Sequence, residues 1–414
     1  MNHFSCRFCG NALGEPFLKL GDQPLCNNYI SSKDSDIEEK HYPLDLYFCT
    51  DCSLVQLAHS IPPTEIFSDY VYLSSYSESW LKHAKIYSEQ VISRFNLDKN
   101  SFAIEIACND GYLLKNFIKA DIPILGIDPA KNASILAKSL GIPMVEDYFN
   151  FDMSIKIIEE YRKADLIITN NVYAHVPDIN DFTAGIKNLL TKNGVWTLEF
   201  PSLKNLIEFN QFDTIYHEHF YYFSLNSIKN IFDTYGFRIF DIERISTHGG
   251  SLRIFAAHAE NDSFRESDKL QILLEEEKNF GIQDINKYKE FNSKIEKIKN
   301  GLLYALNSAK AEKKTTIGYG AAGKANTLIN SCGISKDLIK FIVDRNPLKQ
   351  NKLMPGSRIP IYDTAMIKNS KPDYILILPW NLKDEIIESN RYVMDWGGKF
   401  IVPIPEIKIY SENK

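Results

Sequence analysis

Two Cys-x-x-Cys knuckles, Cys6-Arg-Phe-Cys9 and Cys49-Thr-Asp-Cys52, stand near the N-terminus. A two-residue spacing lets both thiolates of a knuckle reach one ion, and four sulfurs close a tetrahedral zinc shell with no open position, so the expected role is structural. Five of the seven cysteines fall in the first 52 residues. In a reducing compartment such crowding points to metal rather than disulfides. Cys26 reads as a small buried side chain rather than a fifth ligand, and Cys108 and Cys332 have no adjacent base that would make them nucleophiles. A second concentration of chemistry is Tyr216-His217-Glu218-His219. An imidazole titrates near neutral pH and suits proton transfer. The same residues could also be a metal site, which lacks an obvious third ligand, or a solvated strand edge. On a strand, Tyr216 and Glu218 would share one face, and His217 and His219 the other. That parity argues for a loop or a helix start if more than one pair is to face a cleft.

Two loops have the composition of nucleotide sites. The stretch FAIEIACNDGYLL sets Glu105, Asn109 and Gly111 at a strand end before a helix, where glycine lets backbone amides approach a ligand and Glu105 can meet a cation. The next strand ends in Gly126-Ile127-Asp128-Pro129, an acid placed for a ribose diol. Together with Asn170 and Asn171 after the strand DLIIT, this resembles the S-adenosylmethionine (SAM) site of class I methyltransferases, although Ala107 and Asn109 stand where glycine is common. The other loop, Gly318-Tyr-Gly320-Ala-Ala-Gly323, precedes Lys324 and Asn326, with Asp344 closing the following strand. Its amides and helix N-terminus suit a pyrophosphate, either of NAD or of a sugar nucleotide. Trp380 and Asn381, after the strand DYILIL, lie where a base or ribose could bind, or where a tryptophan simply packs.

These loops need elements to hold them. At 414 residues the chain is long enough for two or three domains, and 44% hydrophobic and 24% charged residues are those of a globular protein. Runs FAIEIA, ILGID, DLIITNN and GVWTLEF read as buried strands separated by helix-length segments, which is the signature of a parallel sheet covered on both faces. From 266 to 313 charged residues alternate with apolar ones at helical spacing, giving long helices with one packed stripe and a solvated face. A second strand–turn–helix series follows. The expected fold is α/β: a four-cysteine zinc module (1–70), a Rossmann-like domain (71–245) and a second Rossmann-like α/β domain (246–414). A net charge of −6 shows no bias toward polyanions, so nucleic acid is not an expected partner. With no apolar run of about 18 residues and no charged-then-apolar leader, neither is a membrane, and the expected location is cytoplasmic.

The stretches CRFCG, GDQPLCNNY, YFCTDCSLVQL, YLSSYSESW, EIACNDGYLL, GIDPA, NNVYAHVPDINDF, YHEHFYYFS, HGGSLRIF, GYGAAGKANTLIN and DRNPLKQNKLMPGSRIPI occur in one order from residue 6 to residue 361. In this the chain resembles the sugar-nucleotide C-methyltransferases that act on 4-keto-deoxysugars, as in the making of mycarose- and tetronitrose-type branched sugars. The resemblance implies SAM in the middle domain, a structural zinc on Cys6, Cys9, Cys49 and Cys52, and a nucleotide-diphosphate keto-deoxysugar held by the C-terminal domain; the expected state is a monomer. It implies methylation next to the ketone, at C3, with C5 as the other carbon that fits, and with His219 as general base and Tyr216, Glu218, His175 and Tyr76 lining the sugar. His248 is then a loop residue or a sugar contact, and His175 either lines the site or bonds a loop carbonyl ahead of Pro177. A nicotinamide-dependent sugar-nucleotide oxidoreductase using loop 318–323 is the alternative.

Overall fold

The computed structural model describes residues 4–34, 37–59, 61–62, 65–66 and 73–411, with the backbone alone of Asp34 and Tyr76. An antiparallel sheet near the N-terminus pairs Leu18–Gln23 with Tyr42–Phe48 and that strand with Val55–Leu57. Its fourth strand, Tyr221–Tyr222, comes from far along the sequence. The two cysteine knuckles flank this sheet.

The middle sheet has seven strands: β1 (Ala103–Ile106), β2 (Ile124–Ile127), β3 (Met144–Val145), β4 (Ala164–Asn170), β5 (Leu190–Pro201), β6 (Phe237–Ile245) and β7 (Ser251–His258). Their spatial order is β3-β2-β1-β4-β5-β7-β6, parallel from β3 to β5. β7 runs antiparallel between β5 and β6, so strand pairing carries this sheet past residue 245 to His258. Every residue of β1 and β2 is buried, as expected of strands covered on both faces. The order reverses between β1 and β4, and at such a switch the carboxyl ends of the strands open a crevice. Across the β5–β7 pair, Arg253 sits opposite Glu199 and donates to it at 2.7 Å, while His83 on the helix Glu78–Arg94 meets the same carboxylate at 2.9 Å.

A third sheet comprises β8 (Thr316–Tyr319), β9 (Ile342–Val343), β10 (Ile361–Tyr362), β11 (Tyr374–Ile377), β12 (Lys399–Val402) and β13 (Lys408–Tyr410), in the order β10-β9-β8-β11-β12-β13. It is parallel except for β13. The Gly318–Gly323 turn leaves β8, beside which the strand order again reverses. The charged stretch forms helices Asp268–Phe280 and Ile285–Ala311, capped by Ser267 and Asp284 and separated at Gly281 in the left-handed conformation. The longer helix buries Tyr288, Phe291, Ile295, Ile298, Leu302 and Leu306, a stripe at helical spacing. Tyr288 stacks on Phe48 of the first sheet with centroids 4.7 Å apart. One core therefore runs from the N-terminal sheet through this helix into the third sheet, while a second joins Cys6, Cys49 and Leu54 to Trp196 and Phe223 of the middle unit. The modules share their apolar interior, so removing one would expose the others. Among the described residues, no helix is long and apolar enough to cross a membrane.

Candidate active site and zinc centre

The sulfurs of Cys6, Cys9, Cys49 and Cys52 lie within 4.8 Å of one another, with Cys6 and Cys52 3.6 Å apart and Cys9 and Cys49 3.5 Å apart. A tetrahedron with metal–sulfur bonds of about 2.3 Å has edges of roughly 3.8 Å, so the donor set fits zinc. Gln56 donates to Cys6 Sγ at 3.1 Å and accepts from the Arg7 amide at 2.9 Å, an outer contact of the kind that orients a ligand. Cys26 stands outside this cluster, as expected, with its sulfur on Glu218 at 3.5 Å.

A cavity of about 540 Å³ opens at the switch point of the middle sheet and is walled by all three units. On one side the chain leaving β1 turns through Ala107 (φ 59°) and Asn109 (φ 53°). This left-handed geometry explains why glycine suits both places; asparagine tolerates it, and alanine is strained there by roughly 1–2 kcal/mol. Asp128 accepts from the Asn109 amide at 2.9 Å and the Ala130 amide at 2.8 Å. Burial nevertheless pushes its carboxyl above the ordinary value, the two amides opposing. Asn109, Asp128, Pro129, Asn170 and Asn171 line this end together with Tyr148 and Phe149. An acid, amides and aromatic rings in that arrangement suit a diol, a polar zwitterionic tail and a flat base. Glu105 and Gly111 stand outside the lining. Glu105 is buried and held well above the carboxylate range, first by burial and then by Asp128, Asp110 and Glu199. Gly111 is a packing position, since a Cβ there would come 2.3 Å from Ile142 Cδ1.

Opposite lies the histidine segment, which is a turn between the 3-10 helix Phe212–Thr214 and the strand Tyr221–Tyr222. The turn breaks strand parity: Tyr216, Glu218 and His219 line the cavity, whereas His217 is buried elsewhere with Nε2 3.1 Å from the Tyr42 carbonyl. His219 packs edge-on to His175 with centroids 4.7 Å apart and lies 4.2 Å from the Tyr216 ring. Burial, then the His175 and His248 rings, hold the His219 imidazole well below its ordinary pKa, against a hydrogen bond to the Thr214 backbone. His175 is lowered to about 4 by burial, its bond to the Glu218 main chain opposing. Both rings are therefore neutral near pH 7. Burial raises the Glu218 carboxyl, while donors Asn27 and Cys26 pull the other way. His248 also lines the cavity, edge-on to Trp80 at 5.2 Å. The Tyr76 side chain lies outside the described residues.

From the third sheet, Ala322, Gly323, Lys324 and Lys349 complete the wall. Lys324 Nζ donates to Asn381 Oδ1 at 2.6 Å and lies 5.0 Å above the Trp380 ring. Trp380 itself donates to Asp213 at 2.7 Å, and Asn326 is buried with its amide on the Cys26 carbonyl. Gly320 packs on Pro379, to which a Cβ would approach within 2.5 Å. Gly320, Asn326, Trp380 and Asn381 thus support the wall without lining it. Asp344 accepts from the Ala321 and Asn346 amides at 2.7 and 2.8 Å, so this carboxylate shapes the loop.

Family models match the chain as a zinc binding domain over residues 6–67, a methyltransferase domain over 81–242 and a C-methyltransferase C-terminal domain over 246–405. The C-methyltransferase NovU of Streptomyces niveus is 34% identical over 406 residues, which is 98% of this chain and 96% of NovU. The chain belongs to the C-methyltransferase family. Similar solved structures include the magnesium protoporphyrin IX methyltransferase of Synechocystis with SAM bound, at 15% identity and a TM-score of 0.34 over 43% of this chain and 79% of that one. A SAM-dependent methyltransferase from Anabaena variabilis has 16% identity and a TM-score of 0.34, covering 48% of this chain and 100% of the other. In this C-methyltransferase several lining residues escape a motif-by-motif reading: Asn27, Trp80, Tyr148, Phe149 and Lys349. Asn27, Trp80 and Lys349 lie inside the stretches LCNNY, SESW and DRNPLKQNK that carry the family likeness. Tyr148 and Phe149 follow a two-residue strand and carry no local signal.

Proposed function

We propose that this enzyme transfers a methyl group from SAM to the carbon next to the ketone, at C3, of a nucleoside-diphosphate 4-keto-deoxysugar. The observation that carries the reading is a neutral imidazole, His219, lining the same cavity as the Asp128 end and the Lys324 end. Asn109, Asp128, Asn170 and the Tyr148–Phe149 wall would hold SAM, which would supply an electrophilic methyl group to the substrate carbon, its S–CH3 bond breaking to release a neutral thioether that needs no acid catalysis. His219 takes the proton from the acidic carbon, and the C–H electron pair passes into an enolate. His175 and Tyr216, packed against His219, are the groups within reach of the developing oxyanion. A donor of that kind contributes roughly 2.7–4 kcal/mol in other enzymes. Lys324 and Lys349 bring positive charge to the wall where the diphosphate sits, and Glu218 accepts from a sugar hydroxyl. Positioning then carries much of the rate, because both reactants are held in one cavity.

The test is a mass-spectrometric screen of nucleoside-diphosphate-linked 4-keto sugars with SAM. One substrate gaining a methyl increment is the expected result; no increment with any of them would sink the assignment. Deuterium uptake at the acidic carbon without SAM isolates the action of His219.

A further inference from the structure

Residues 24–31 belong in sequence to the zinc-bearing module but run through the seam between the other two units. Ile30–Ser31 pairs with Lys352–Leu353, Tyr29 Oη donates to the Ala321 carbonyl at 2.6 Å, and the Asn326 amide donates to the Cys26 carbonyl. At the centre of this segment Asn27 Nδ2 donates to Glu218 Oε1 at 2.6 Å, and Cys26 Sγ reaches the same oxygen at 3.5 Å. Asn27 and Glu218 both line the cavity. Gly323 lets the segment close on the loop behind it, because a Cβ there would stand 3.1 Å from Cys26 Sγ.

We infer that Asn27 is a positioning residue for methyl transfer, its amide fixing Glu218 by Oε1 and leaving Oε2 for a hydroxyl of the keto-sugar. The zinc-bearing module thereby reaches the active site itself. This rests on the function proposed above. A carboxylate in a buried wall needs a donor that fixes both its rotamer and its charge, and a neutral amide does so without adding a charge of its own. The titratable groups around Glu218 are Cys26 and Tyr29 on the same segment, His175 bonded to its main chain, His219 beside it, and Lys349 beyond Cys26. Of the two donors, the short amide contact is the stronger, since thiols are weak donors.

The test compares Asn27→Asp with Asn27→Ala, after checking that zinc content and thermal midpoint match the parent. Loss of a hydrogen bond to a charged group corresponds to roughly a tenfold to hundredfold fall in kcat/KM. For N27A that fall should show no recovery as the pH drops, since alanine can share no proton with Glu218. For N27D it should be larger near neutrality and recover as the pH drops, because two facing carboxyls share one proton. Profiles of the two variants that superpose on each other or on the parent would overturn the inference. A second readout needs no turnover: a carbon-13 NMR titration of the Glu218 carboxyl, assigned with E218Q. It should titrate at higher pH in N27D and N27A than in the parent, and an unchanged titration overturns the inference. If N27D does not fold, N27A in the same titration decides. If no keto sugar is methylated by the parent enzyme, the functional reading fails while the titration still tests the Asn27–Glu218 contact.

Discussion

Replacing His219 with Gln separates proton abstraction from binding. The ring packs against His175 and Tyr216, while the Asp128 end of the cavity lies on other elements, so the substitution removes the base and leaves the seating of SAM to untouched residues. A positioned general base is worth about 10²–10⁴-fold, and kcat should fall by that factor with the dissociation constant for SAM unchanged in calorimetry. The parent enzyme adds a sharper criterion. Because burial and the two neighbouring imidazoles hold His219 well below its ordinary value of 6.5, its base form persists as the pH falls through that value. An unperturbed imidazole would lose about half its basic form at pH 6.5 and about nine-tenths one unit lower. Here kcat/KM should stay flat across that interval and decline only further into acid. The measurement is a kcat/KM profile from about pH 5 to about pH 9, with the ionisation of the substrate titrated separately. An inflection at the ordinary imidazole value, or H219Q within a fewfold of the parent, would refute the argument that this ring is the buried base.

Other consequences are checked on the folded protein. Chelation of the metal, or Cys49→Ala, should lower the thermal midpoint and the turnover together, because the cysteine knuckles share an apolar core with Trp196 and Phe223 of the middle unit. His217 is buried and lowered to about 4 by desolvation, its contacts to the Tyr42 and Pro43 backbone opposing. Below about pH 6.5 the unfolded chain binds a proton there that the folded chain refuses until about pH 4, so stability falls as the pH drops across that window, by about 3 kcal/mol at most. Denaturant unfolding of the parent and His217→Gln at several pH values checks this, and equal pH dependence in the two would contradict it. Arg253 is buried between Glu199 and Glu243, at 2.7 and 2.6 Å, so Arg253→Ala leaves the buried Glu199 with His83 as its remaining partner and should cost up to about 3–5 kcal/mol in the same assay.

Spacing made the zinc ligands legible, because a knuckle is a local device whose two sulfurs need no distant partner to be recognised. The strands of the middle sheet were legible for a similar reason: β1, β2, β4 and β5 are buried on both faces and so read as apolar runs. Parity along the histidine segment argued for a loop or a helix start if more than one pair was to face the cleft; the segment is a turn, and the turn is what separates His217 from its neighbours. What could not be read is long-range pairing. Tyr221–Tyr222 and Ile30–Ser31 are each two residues long, too short for any alternation, and their partners lie far off in sequence. Ser251–His258 is a strand by composition, yet nothing local says that it inserts antiparallel between β5 and β6. Glu105 and Asp344 have the residue type expected of ligand-binding acids, but burial in one case and two backbone amides in the other give them different surroundings.

The strand Tyr221–Tyr222 begins two residues after His219 and is hydrogen-bonded to Val55 and Gln56 of the zinc-bearing module. Grafting that module between relatives by cutting at its sequence borders would therefore transplant only three of its four strands. The recipient would have to supply the missing edge from the very turn that presents the imidazole. Workable hybrids should carry residues 212–223 along with the donor's first 67, treating two distant stretches of gene as a single heritable part.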